Sequence, residues 1–95
     1  MSLFRKEQLY SATGVKMSKG LFVETDPRTS QDREPIMSLN EREGYFNLRE
    51  AFLESVVDDP TEVLFAEAIF GDYAFWEHLS TRVWMKPYVE EWRMV

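Results

Sequence analysis

The chain has 95 residues, 17 acidic and 11 basic, for a net charge of -6. That length supports one small domain with a single core and excludes two independent ones. There is no cysteine, which excludes disulfides, thiolate zinc sites, iron-sulfur clusters and cysteine nucleophiles together.

Charge is unevenly distributed. Residues 1–42 hold seven basic and six acidic residues, and residues 43–95 hold four and eleven, so the halves carry +1 and -7. The acidic half also holds eleven of the fourteen aromatics, too apolar a composition for a disordered acidic tail. Its charges must decorate a packed surface, one that repels phosphate backbones and suits a basic protein surface. The N-terminus lacks the apolar core of a signal peptide, and no apolar run is long enough to span a membrane, so a cytoplasmic, non-membrane protein is expected.

Taken in chain order, Ser2 is placed to cap a short helix, SLFRKEQLY, with Phe4 and Leu9 as its apolar residues and Gly14 as its stop. Residues 20–25 carry β-favouring Val, Phe and Thr and read as a strand ended by Asp26-Pro27. The polar run DPRTSQDRE, from Asp26 to Glu34, reads as an exposed loop, and PIMSLN as a second strand. Pairing the two gives a hairpin-like segment that needs a helical layer or a partner to cover its apolar face.

From Asn47 the period is helical. Asn47 is an N-cap candidate for LREAFLESVV, with Glu50 completing a capping-box pattern. DDPTE is a stronger start signal: Asp59 as cap, Pro60 as first helical residue, and Glu62 where a reciprocal cap and the helix dipole favour a carboxylate. The helix PTEVLFAEAIF is apolar on several faces, which predicts cover on more than one side. Gly71 then supplies a left-handed stop, and Asp72 caps YAFWEHLSTRVW with Tyr73, Trp76, Leu79 and Val83 on one stripe. KPYVEEWRMV repeats the device of an early helical proline, with Tyr88 and Trp92 four apart. The predicted class is α+β: an N-terminal β-hairpin-like segment (1–46) followed by a compact bundle of three or four short helices (47–95).

Catalysis has little to work with. His78 is the only histidine, and Glu77, Glu67 and Asp72 are not spaced to join it in a metal site. The carboxylates of Asp58, Asp59 and Glu62 are explained by the helix start they occupy. Gly14 and Gly20 are isolated and form no phosphate loop. The expectation is a protein without enzymatic activity, metal, cofactor or small-molecule substrate. Arg5, Lys6, Lys16 and Lys19 are candidate phosphate contacts, although aromatics interleaved with basic residues, the mark of a single-strand platform, are read as missing from this region. Rings at helical spacing are core residues first, since each has about 150–250 Å² to bury. Any left exposed would mark an interface, for which Trp76, Trp84, Tyr88, Trp92 and Arg93 are the candidates.

DDPTEVLFAEAIFGDYAFWEHL followed by WMKPYVEEWR resembles a segment of small proteins of tailed bacteriophages, several of them described as small subunits of the DNA-packaging terminase. The matching positions are Asp59, Pro60, Thr61, Glu62, Phe65, Ala66, Trp76, Leu79, Pro87, Tyr88, Trp92 and Arg93. KGLFVET and YFNLREAFLE match more loosely. The resemblance implies a phage protein of the infected host's cytoplasm that acts without catalysis, by assembling into a ring of its own copies and presenting double-stranded DNA to a motor. The alternative is a small acidic phage inhibitor occupying a basic groove on a host nucleic-acid enzyme, with Glu50, Glu54, Asp58, Asp59, Glu62 and Glu67 as its contact charges.

Overall fold

The computed structural model describes residues 2–25 and 35–95. A short helix α1 (Lys6–Leu9) and a 3-10 turn (Lys19–Leu21) lead to a two-stranded sheet, β1 (Met37–Ser38) and β2 (Phe46–Asn47). Four helices follow: α2 (Leu48–Ser55), α3 (Val63–Phe70), α4 (Tyr73–Ser80) and α5 (Lys86–Arg93). This is the α+β class expected, with a small sheet beside a helical layer.

Pairing inside the N-terminal segment differs from the predicted hairpin. Residues 20–25 form the end of the 3-10 turn and the bends after it, and they meet the second apolar run through a parallel bridge, Phe22 to Met37. Met37 in turn pairs with Phe46, and Ser38 with Asn47, also in parallel. A connection as long as 26–34 imposes no antiparallel register, so burial of Leu21, Phe22, Met37 and Leu39 in one core sets the direction instead. Glu24 finishes the edge, its carboxylate accepting from the Leu39 amide at 3.0 Å and the Ser38 hydroxyl at 2.6 Å. The loop predicted at Asp26 to Glu34 lies outside the described residues.

Helix ends follow local chemistry. The Asn47 side chain accepts from the Glu50 amide at 3.0 Å and Asp72 from the Phe75 amide at 2.7 Å, satisfying N–H groups the helices leave over. Gly71 adopts φ +92°, where any side chain is strained, and Pro87 sits in the first turn of α5. Three expectations shift. Arg5, and not Ser2, precedes α1, with Gln8 reaching back to the Arg5 amide at 2.8 Å. The third helix starts at Val63 instead of Pro60. The fourth stops at Ser80, because the Thr81 hydroxyl donates to the Glu77 carbonyl at 2.7 Å and Arg82 Nε to the His78 carbonyl at 3.1 Å. Val83 therefore leaves the predicted stripe and stands 92% exposed.

Phe52 of α2 is the hub of the core. Its ring meets Phe65 of α3 at 5.3 Å, and Trp76 of α4 and Trp92 of α5 at 5.8 Å each. Phe70 stacks on Trp76 at an interplanar angle of 10°. Four helices of eight residues each can bury large rings only by aiming them at a common centre. Trp76 and Trp92, expected at a protein interface, are thus consumed by the core. Trp84 is half-buried edge-on against Phe22 at 5.5 Å, and among the described residues its Nε1 is the buried side-chain nitrogen without a hydrogen-bond partner. Of the expected interface rings only Tyr88 is exposed. Helix α3 buries one face, Phe65, Ala66, Ile69 and Phe70, and leaves Val63, Leu64 and Ala68 outward, against the prediction of cover on several sides.

Candidate functional site

Two hydrogen-bonded groups sit at the start of α3, one around Asp59 and one around Glu62. Asp59 accepts from the amides of Leu64 at 2.8 Å and Thr61 at 3.1 Å and from the Thr61 hydroxyl, so it caps α3 as expected, but from outside a later start. Those bonds, the Thr61 hydroxyl first, hold its carboxyl below the usual range. Glu62 takes the left-handed conformation, φ +71°, immediately before the helix, at a cost of about 1–2 kcal/mol for a residue with a Cβ.

That conformation delivers the Glu62 carboxylate to three donors: Trp76 Nε1 at 2.9 Å, Arg93 Nε at 2.7 Å and Arg93 Nη2 at 2.8 Å. Burial opposes ionisation of Glu62, but the hydrogen bonds from Arg93 and Trp76 and the charge of Arg93 outweigh it, and the carboxyl ionises below its ordinary value. Glu62 is only 7% exposed, so it belongs to no acidic contact surface. Arg93, predicted at an interface, is committed to fastening α5 onto the start of α3.

A different group of residues assembles at the N-terminal side. Lys6 and Tyr10 are four apart and meet along α1. The reverse turn closed by the Gly14 amide on the Ser11 carbonyl at 2.9 Å, with Gly14 at φ +85°, folds the chain back so that Lys16 pairs with Tyr10 in an antiparallel bridge. Both lysine Nζ atoms consequently stand over the Tyr10 ring, 5.6 Å and 5.9 Å from its centroid, where a cation is favoured. Tyr10 also packs on Phe75 of α4, centroids 5.6 Å apart, which ties this surface to the helical layer.

At the end of α4, Arg82 Nε donates to the His78 carbonyl at 3.1 Å, and His78 lies within electrostatic reach of Lys16. Burial first, then the charges of Arg82 and Lys16, hold the His78 pKa below the usual histidine value, so the imidazole is neutral at pH 7 and the positive charge is that of Lys6, Lys16 and Arg82. Among the described residues none of these three has a carboxylate within ion-pair distance. Of the other predicted basic residues, Arg5 is exposed with Glu7 at 4.0 Å and Lys19 is exposed on the 3-10 turn. The structure thus brings together Lys6 and Lys16 and adds Tyr10 and Arg82, which sequence reasoning missed. An aromatic between cations was present after all at Tyr10, legible only as the fourth residue after Lys6.

The six acidic candidates do not form one surface. Glu50 and Glu54 line a groove of about 450 Å³ along α2, together with Glu41, Arg49, Leu53 and Val57. Asp58 is exposed beyond α2, Glu67 is exposed on α3, and Asp59 and Glu62 serve the helix start described above. Among the described residues, no group of three or more His, Asp or Glu side chains is placed to hold a metal ion, and no helix is long and apolar enough to cross a membrane. Comparisons with protein-family models, with curated proteins and with solved structures find no match to this chain.

Proposed function

We propose that the protein is a non-enzymatic assembly factor of the DNA-packaging kind, similar in role to the terminase small subunits its sequence resembles, which holds double-stranded DNA at the Tyr10 cluster and acts as several copies. The observation that supports this reading is the convergence of Lys6 and Lys16 on one aromatic ring with, among the described residues, no carboxylate paired to either. Cations that stand over a ring instead of pairing with a carboxylate keep their charge available to replace counterions on a phosphate backbone. The chain as a whole carries a net charge of -6, so one copy binds weakly, and useful affinity requires several copies on one duplex. The outward face of α3 suits such self-association: Val63, Leu64 and Ala68 are exposed there, and Leu3 lies alongside with its amide on the Ala68 carbonyl at 2.7 Å.

Fluorescence anisotropy of a labelled duplex across a salt series tests the DNA half of this reading. Three phosphate contacts per engaged copy give a slope of log K against log salt of about -2.7, and Lys6→Ala with Lys16→Ala should flatten it towards about -0.9. Absence of binding at low salt, or an unchanged slope in the double variant, refutes the assignment. Light scattering addresses the other half, since a mass that stays at one 11.3 kDa chain at every concentration contradicts action as several copies.

A further inference from the structure

The groove on α2 has an arrangement that neither the core nor the Tyr10 cluster explains. Glu50 is three and four residues before Leu53 and Glu54, and these are four and three before Val57, so the four form one stripe along the helix and its exit. Apolar side chains thereby alternate with carboxylates, and Glu41 from the preceding loop adds a third charge to the rim. Val57 is 80% exposed, a position where an apolar residue gains nothing from the fold. None of the three carboxylates has an ion-pair partner among the described residues, and Arg49 is the lone cation lining the groove.

From this charge pattern we infer that the groove is a docking site for a basic amphipathic segment of another protein, one that presents lysine or arginine to Glu41, Glu50 and Glu54 and a leucine-sized side chain to Leu53 and Val57. Nucleic acid is disfavoured as occupant, because three carboxylates repel its phosphates. A second copy presenting α3 or α5 fits less well, since the outer face of α3 is apolar with Glu67, and that of α5 sets Glu90 and Glu91 against Lys86 while Arg93 is held by Glu62. A basic segment meets both halves of the stripe: the apolar contact excludes water, and exclusion of water strengthens the charge pairing at the rim. The inference does not depend on DNA binding at the Tyr10 cluster, which uses other residues.

The test is an amide-resonance titration of the full chain with a synthetic helical peptide carrying lysine and leucine at the complementary spacing, and with a twin in which glutamate replaces lysine. Shifts are expected at residues 41, 49–50 and 53–57 with the lysine peptide and not with its twin. Glu50→Gln with Glu54→Gln should weaken binding about fivefold. Val57→Asn, which leaves the charge unchanged, should weaken it about threefold. Glu67→Gln with Glu77→Gln, an equal loss of charge at exposed positions outside the groove, should change it less than about twofold. The inference is overturned if the two charge variants weaken binding equally or if Val57→Asn has no effect, because either result means attraction by net charge alone. It is equally overturned if neither peptide moves the groove resonances, if both move them alike, or if they move on concentrating the protein alone, which would make a second copy the occupant. Thermal melting of each variant confirms that the fold is intact.

Discussion

Phe52→Ala is expected to lower the free energy of unfolding by about 3–5 kcal/mol. The ring it removes is the one that meets Phe65, Trp76 and Trp92, so the cavity opens where α2, α3, α4 and α5 converge. Rings of that size held on three different short helices cannot collapse into the space without moving the helices themselves, which places the cost in the upper part of the range for core truncations. Small domains have about 5–15 kcal/mol in total, so the variant should be mostly unfolded in mild urea where the parent chain is folded. Tryptophan fluorescence follows the transition directly, because Trp76 and Trp92 lie against the deleted ring. Phe52→Leu, which keeps much of the volume, should cost less than half as much. A loss below about 1 kcal/mol for the alanine variant would place the structural centre elsewhere.

Glu62→Ala is expected to cost about 3 kcal/mol, chiefly because it strands the Trp76 Nε1 donor inside the protein. Arg93 is half-exposed and recovers water, so the ion pair contributes less than its short distances suggest. Glu62→Gly should be milder by about 1 kcal/mol, since glycine removes the strain of the left-handed backbone while losing the same carboxylate. The pH dependence has a definite sign. The folded pKa of Glu62 lies below its unfolded value, so its contribution is fully present above the unfolded carboxylate range and is lost as pH falls through that range to the folded value. Asp59 acts in the same direction. Glu62→Gln, which keeps an acceptor for Trp76 and loses the charge, should therefore show a shallower loss of stability on acidification than the parent chain. Parallel acid titrations of the two proteins, followed by urea melts, measure the difference.

What was legible in the sequence was local. Asn47, Gly71, Asp72 and Pro87 act within three or four residues of themselves, and each does in the structure what its chemistry foretold. Direction of strand pairing was not legible, because 26–34 separates the two runs and the buried side chains decide the register. Helical spacing placed Trp76 and Trp92 on stripes but carried no information on whether a stripe faces the core or a partner. The candidate site was half visible. Lys6 and Lys16 stood out as charges, whereas their meeting at Tyr10 needs the turn at Gly14, and the approach of Arg82 needs α4 to end at Ser80. Glu62 and Arg93 lie 31 residues apart, a contact no local pattern encodes.

The most direct test of the functional account is a titration of the protein's amide resonances with a short DNA duplex at low and at high salt. The account predicts that Lys6, Tyr10, Lys16, His78 and Arg82 shift first, and that added salt returns them to their starting positions. Larger shifts along the acidic stripe of α2, or no shift at low salt, would contradict it.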